Sequence, residues 1–143
     1  MDKRDLEQLL SDVADGSITP ADALTRIQTA PTADLGFAQL DLSRGVRQGA
    51  GEVIYGAGKT AEQIAAIIEA LLDAGQGHVL VTRLDADKAA RTAELLADDI
   101  DLGYIPNAQL ALVGGKPSPT GNGRVVVACA GTSDLPVAEE AAL

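Results

Sequence analysis

A short polar turn near the end of the chain carries the side chains best suited to hold a ligand. Its residues are Gly131, Thr132, Ser133 and Asp134. The glycine lets the backbone turn without a Cβ, and two hydroxyls, a carboxylate and the N–H groups of a helix N-terminus can bind an anion or a ribose. Capping the next helix needs only one such side chain, so three in a row favour ligand binding over capping alone.

The neighbouring residues predict that this turn lies between a strand and a helix. Val125 to Cys129 are β-prone or small and apolar, which favours a strand buried on both faces, and Pro136 pre-sets a helical turn. A parallel strand and its helix are not stable alone. We therefore expect residues 124–143 to be the truncated start of a larger domain, and to be disordered or paired with a sheet edge.

A second glycine turn runs from Gly56 to Thr60 and contains Lys59. It resembles the end of a phosphate-binding P-loop, but Val53 stands where that motif has its first glycine, which excludes an NTPase. The lysine and the following helix N-terminus still predict a weaker anion contact. The alternative is a glycine turn with a good helix cap and no ligand.

Arg44 and Arg47 lie close to Asp41 and to a glycine-rich segment, which suggests a polar cluster for a ligand. A solvated connection with local ion pairs is the alternative. The single cysteine, Cys129, and the single histidine, His78, exclude an internal disulfide and a Cys/His zinc site. Any metal would be a hard ion with oxygen ligands, such as Mg²⁺.

Composition limits the partners of the chain. The net charge is −10, from 21 acidic and 11 basic residues, and the chain has two tyrosines, one phenylalanine and no tryptophan, which argues against nucleic acid as a partner. Its apolar runs are far shorter than the ~20 residues that cross a bilayer. No secretory leader is recognisable, so we expect no membrane association and a cytoplasmic location.

Periodicity predicts an α/β fold with a helical hairpin at residues 1–30. Strands then alternate with helices over 31–115, which favours a small, mostly parallel sheet. Two prolines and two glycines mark 116–123 as a linker. The last region, 124–143, is expected to be the first strand and helix start of a doubly wound domain.

Several peptides, taken together, resemble the N-terminal portion of the LarB family, which belongs to the PurE-like (AIR carboxylase) superfamily and acts in nickel-pincer nucleotide cofactor biosynthesis. The peptide at 130–140 reads AGTSDLPVAEE, and further matching peptides lie at 34–38, 41–44, 47–49, 52–56, 58–60 and 62–64. The resemblance implies a carboxylase that uses CO₂ on the pyridine ring of nicotinic acid adenine dinucleotide, cleaves its phosphoanhydride with the help of Mg²⁺, and releases AMP and pyridinium biscarboxylate mononucleotide. A cysteine that adds to the ring is expected to activate it.

The resemblance also implies roles for individual residues. The turn from Gly131 to Asp134 would line the nucleotide and phosphate end of the site, and Asp134 would hold ribose or Mg²⁺. Arg44, Arg47 and Lys59 would counter the dinucleotide phosphates. Cys129 does not match the catalytic cysteine, which is expected beyond residue 143, so this chain alone is expected to be inactive.

Two further expectations concern the assembly and the alternative function. The resemblance implies that the full-length protein is a homo-oligomer. The alternative reading is a non-catalytic nucleotide-binding or oligomerisation module derived from the same family.

Overall fold

The computed structural model describes residues 3–28, 32–42, 44, 51–119 and 121–143. They fall into two compact units. The first comprises Met1–Glu52 and Ala70–Gln76, and the second comprises Val53–Glu69 and Gly77–Leu143. The domain boundaries expected from composition stay a prediction.

The first unit begins with the helical hairpin that periodicity predicts. Helix α1 spans Lys3–Ala14 and helix α2 spans Pro20–Gln28. Thr19 begins α2, because its Oγ1 accepts a hydrogen bond from the Asp22 backbone N–H at 3.1 Å. Leu9 and Ala23 are buried, so each helix contributes its apolar face to the packing of the unit.

A small antiparallel hairpin follows, which the sequence pattern did not predict. Strand β1 covers Thr32–Asp34 and strand β2 covers Gln39–Asp41, and Leu40 is buried. Asp34 Oδ1 accepts a hydrogen bond from the Gly36 N–H at 2.8 Å and thereby stabilises the turn. Strands of three residues are too short for alternation of apolar and polar residues to reveal them.

Within the first unit, the side-chain amide of Gln76 binds the backbone of Glu52 as the backbone of a neighbouring strand would. The Gln76 side chain accepts from the Glu52 N–H and donates to the Glu52 carbonyl, both at 2.9 Å. A Cβ on Gly51 would lie 2.6 Å from the Gln76 amide carbon, so the absence of a side chain at position 51 lets the amide approach the backbone.

The second unit contains a four-stranded sheet in the order β3-β4-β6-β5. These strands span Val53–Tyr55 (β3), Val79–Thr82 (β4), Leu102–Ile105 (β5) and Leu110–Val113 (β6). Only β3 and β4 are parallel, so the expectation of a mostly parallel sheet is wrong. A single 3₁₀ turn, Pro106–Ala108, joins β5 to β6, and so short a connection permits only an antiparallel pair.

Two longer helices pack with this sheet. Helix α3 spans Ala61–Asp73 and helix α4 spans Ala86–Leu95. Thr60 and Gln63 form a capping box at the start of α3, with hydrogen bonds of 3.0 and 3.2 Å. The core of the unit consists of side chains with almost no exposed surface: Ile64, Ile67, Ile68, Val79, Val81, Leu84 and Leu110.

The C-terminal region differs from its prediction in one of two elements. No strand forms over 124–129, and the side chains of Val125 and Val126 are 94% and 84% exposed. The predicted strand is wrong in this structure because no neighbouring strand satisfies its backbone groups. The predicted helix does form, as α5 at Leu135–Ala142, and none of the strand pairs in the described residues includes 124–143, so the expected pairing with a sheet edge is wrong in this structure.

Candidate functional site

Parallel pairing of β3 and β4 brings the turns that follow these strands to one end of the sheet. Tyr55 pairs with Thr82, and the Gly56 N–H donates to the Thr82 carbonyl at 2.8 Å. We call residues 56–60 and 83–88 the carboxyl edge. Ligands of open α/β sheets bind at the carboxyl ends of parallel strands, so the carboxyl edge is the candidate binding site of the second unit.

Gly56 makes the close approach of the two turns possible. A Cβ at this position would lie 2.9 Å from the Thr82 carbonyl oxygen and 3.3 Å from Val81 Cγ1. The first contact is with backbone, which cannot rotate away as a side chain would. The glycine is therefore a steric requirement for the carboxyl edge.

We expect Gly56→Ala to lower the free energy of unfolding by about 1–3 kcal/mol, because the added methyl group pushes β3 away from β4. Gly58→Ala is the matched control, since a Cβ there meets nothing within 4 Å. Chemical denaturation of both variants measures the difference. Equal stability of the two variants would contradict the steric argument.

Two lysine ammonium groups converge on the first turn of the carboxyl edge. Lys59 Nζ donates to the Tyr55 carbonyl at 3.2 Å, and Lys88 Nζ donates to the Gly56 carbonyl at 3.1 Å. These carbonyl groups belong to consecutive residues, so both lysine side chains bind the backbone at the start of the first turn. The Lys88 side chain is only 21% exposed, which strengthens its field by keeping water away.

Two helix N-termini at this edge already stabilise carboxylates. The pKa of Asp85 lies below its usual value, mainly because the backbone N–H of Lys88 donates to its Oδ1 at 2.8 Å, and the Lys88 ammonium adds to this. The pKa of Glu62 is lowered first by its own backbone N–H and then by the Thr60 hydroxyl. The edge therefore favours negative charge, and this stabilisation is present above the usual carboxyl pKa and lost as pH falls through the lowered one.

The second turn of the carboxyl edge is held by β5 and β6. The Tyr104 hydroxyl donates to the Leu84 carbonyl at 2.9 Å, and the Leu84 N–H donates to the Gln109 carbonyl at 2.8 Å. Burial, with a smaller effect of the Asp85 charge, raises the pKa of Tyr104, so its phenol remains a neutral donor at neutral pH. Arg83 adopts the left-handed conformation with φ 54°.

The turn from Gly131 to Asp134 lies directly before α5, and all four residues are exposed. The Asp134 N–H donates to the Gly131 carbonyl at 3.2 Å, but the Asp134 side chain does not cap the helix. Ser133 Oγ lies 3.5 Å from Asp134 Oδ1. The polar side chains of this turn are thus not occupied in capping, and their role in ligand binding stays a prediction.

Neither arginine predicted for the site is placed at the carboxyl edge, since Arg44 belongs to the first unit and Arg47 is not among the described residues. Arg44 Nη1 forms an ion pair with Glu52 Oε1 at 3.1 Å, so its charge is partly compensated. Arg47 lies outside the described residues. Lys59 alone among the predicted basic residues is placed at the carboxyl edge, and no hydrogen bond or ion pair joins it to residues 131–134 in the described part of the chain.

Sequence reasoning missed Lys88, Arg83 and Asp85 at this edge. Asp85 carries the signature of a helix N-cap, and Lys88 follows it by one helical turn. These residues come near Lys59 because the parallel pairing of β3 and β4 places the turn after β4 beside the turn that contains Lys59.

Metal ligands and the cysteine are the remaining candidates for chemistry. No group of three His, Cys, Asp or Glu side chains in the described residues is arranged to hold a metal ion. Mg²⁺ is usually held by one or two carboxylates together with substrate phosphates and water, so the role of Asp134 in holding it stays a prediction. Cys129, the one cysteine of the sequence, is exposed and lies in a segment without regular structure.

This geometry defines an α/β unit in which Lys59 and Lys88 bind backbone carbonyls at the carboxyl edge. The family model described as "LarB/PurE-like N-terminal domain" matches residues 32–114, which is more than half of the chain. The chain therefore belongs to the LarB/PurE-like family, as its N-terminal portion. No curated protein matches the chain. None of the described helices is long and apolar enough to span a membrane.

Proposed function

We propose that the chain is part of a pyridinium-3,5-biscarboxylic acid mononucleotide synthase, a cytoplasmic enzyme of nickel-pincer cofactor biosynthesis. This enzyme carboxylates nicotinic acid adenine dinucleotide with CO₂ and hydrolyses it, releasing AMP. The LarB/PurE-like match over 32–114 supports the proposal. The single structural observation that carries it is the pair of lysine ammonium groups on the carbonyls of Tyr55 and Gly56.

The role proposed for the described residues is to hold the dinucleotide phosphates. The phosphoanhydride carries two negative charges, and Lys59 with Lys88 supplies two positive ones at the place where α3 and α4 begin. The charge of Lys88 is partly compensated by Asp85, whose Oδ2 lies 3.7 Å from the ammonium. Lysine is suited to this because its ammonium binds phosphate as a compact point charge. Residues 131–134 are proposed to contact the nucleotide, and Arg44 and Arg47 to provide further positive charge.

The chemical steps are proposed to take place outside the described residues. A pyridinium ring is electron-poor and attacks CO₂ only after a nucleophile has added to it, for which the resemblance implies a cysteine. Exposed Cys129 does not match that residue. Mg²⁺ is proposed to assist the hydrolysis in the full-length enzyme, with Asp134 as a candidate ligand for it or for the ribose. The full-length enzyme is proposed to be a homo-oligomer.

A non-catalytic nucleotide-binding or oligomerisation module is the second candidate. It would use the two lysines at the carboxyl edge and needs no catalytic group. The two candidates share the carboxyl edge as a binding site. They differ in whether the bound dinucleotide is carboxylated once the complete protein is assayed.

Calorimetric titration with nicotinic acid adenine dinucleotide tests the shared site. We expect Lys59→Ala to weaken binding about tenfold, equivalent to ~1.4 kcal/mol, because one charge-assisted contact to phosphate is lost. Lys116→Ala is the matched control, because Lys116 is exposed in the loop after β6. This variant should bind the dinucleotide as tightly as the unaltered chain does. Heats equal to dilution, or equal losses in both variants, would overturn the proposal.

A further inference from the structure

The four-stranded sheet of the second unit has both of its long helices on one face. Strands β4 and β5 run in the same direction, because each pairs antiparallel with β6, and β3 is parallel to β4. The connections through α3 and α4 therefore both join parallel strands, and both run the same way along the order β3-β4-β6-β5. Such crossovers are right-handed, which places α3 and α4 on the same face.

Burial along the strands agrees with this arrangement. Ile54, Val79 and Val81 share one face by register and alternation, and all three are buried. Val53 and Tyr55 alternate with Ile54 on β3, and their side chains are 39% and 59% exposed. The helices therefore cover the face of Ile54 and leave the opposite face of β3 uncovered.

The uncovered face carries a row of apolar side chains. Val53 pairs with Leu80, and Leu80 pairs with Leu112, so these three residues lie side by side across β3, β4 and β6. Leu80 and Leu112 are only partly buried. We call the face that carries Val53, Tyr55, Leu80 and Leu112 the open face. Because an apolar sheet face is stable only when another layer packs on it, the open face is a docking surface.

Helix α5 is attached next to the open face at two places. It packs against the 3₁₀ helix Pro106–Ala108, which leads into β6. Leu110, at the start of β6, shares the open face with Leu112 by alternation but is fully buried. The second attachment is an ion pair, in which Arg83 Nε lies 3.0 Å from Glu140 Oε2, and Arg83 directly follows β4. Layering on this face thus begins at the end where α5 lies.

We propose that the open face is the surface on which the doubly wound catalytic domain packs, with α5 as the first helix of that domain already in place. The peptide that contains α5 is the one that resembles the start of this domain. Leu135 and Val137 of α5 are still 42% and 46% exposed, so the helix keeps apolar surface for further elements of the same domain.

This docking rests on the proposed function for the identity of its occupant, and it adds where the two parts of the enzyme meet. Tyr55 lies on the open face, and its backbone carbonyl accepts from Lys59 at the carboxyl edge. A domain that covers Tyr55 therefore lies beside the lysines that are proposed to hold the dinucleotide phosphates.

Nitration of the two tyrosines, read by peptide mass spectrometry, tests whether the open face is covered. We expect Tyr55 to be nitrated about tenfold more slowly in the complete protein than in the 143-residue chain, because the reaction then requires the domains to separate transiently. Tyr104 is the internal control and should react equally in both, since its hydroxyl already donates to the Leu84 carbonyl. Equal nitration of Tyr55 in both proteins overturns the proposal.

A charged substitution tests whether apolar packing is the cause. In the complete protein, Val53→Glu should return Tyr55 nitration to the rate of the 143-residue chain, because burial of an unpaired carboxylate opposes docking. Leu10→Glu is the matched control, since Leu10 is 58% exposed on α1. Restored nitration in Val53→Glu alone supports the proposal, and the same rate in both variants overturns it.

Concentration separates the catalytic domain from a second copy of the chain as the occupant. We expect Tyr55 nitration in the 143-residue chain to be unchanged over about a hundredfold range of concentration, because no association buries it. Protection that increases with concentration would assign the open face to a second copy and overturn the proposal. If Tyr55 is protected in the complete protein but the dinucleotide gives no heat of binding, the proposed function falls and the docking surface stands.

Discussion

The chain is expected to release no AMP from nicotinic acid adenine dinucleotide, even with bicarbonate and Mg²⁺ present. Carboxylation needs a thiolate that adds to the pyridinium ring, and a reactive thiolate needs a cationic or hydrogen-bonding environment. The only thiol, Cys129, is exposed and has no hydrogen bond or ion pair in the described structure.

Chromatographic assay of AMP measures this directly. The no-enzyme sample gives the background, and Cys129→Ser should match both it and the unaltered chain. AMP formation above background that disappears in Cys129→Ser would place the catalytic thiol in this chain and refute the assignment of chemistry elsewhere.

Ile68→Ala is expected to cost the largest share of stability, about 2–5 kcal/mol in the free energy of unfolding. Ile68 lies in α3 with 0% of its surface exposed, so its truncation removes transfer free energy and leaves a cavity. A typical domain has only about 5–15 kcal/mol in total, so this loss would be a large fraction.

Ile27→Ala provides the matched comparison. This substitution removes the same atoms from a helix, but Ile27 in α2 is 40% exposed. We therefore expect the free energy of unfolding to fall by less than about 1 kcal/mol. Urea denaturation of both variants gives the two values. Similar losses would mean that α3 does not form the core described here.

Elements governed by local chemistry were predictable from the sequence. The apolar spacing in α1, α3 and α4 and the capping residue Thr60 act over one or two helical turns, so a single sequence reveals them. The α/β class followed from the alternation of such helices with short apolar runs.

Features that depend on pairing partners were not predictable. The run from Val125 to Val127 has the composition of a buried strand, but a strand exists only where another strand satisfies its backbone groups, and none does here. The mixed sheet arises because Pro106–Ala108 turns β5 directly into β6, a choice that composition does not reveal.

In the candidate site too, residues with a local sequence signal were predictable and residues placed by strand pairing were not. Lys59 was found because a glycine turn before a capped helix is a local signal. Lys88 and Arg83 were missed because only the pairing of β3 with β4 brings the turn after β4 beside the turn that contains Lys59. A site built from several turns becomes visible once the order and direction of the strands are known.

Amide chemical-shift mapping of the isotope-labelled chain during titration with nicotinic acid adenine dinucleotide tests whether the carboxyl edge binds the phosphates. We expect saturable shifts concentrated in residues 55–60 and 83–88, with further shifts in residues 131–134. Shifts confined to the N-terminal hairpin, or no shifts at saturating dinucleotide, would contradict a phosphate-binding carboxyl edge.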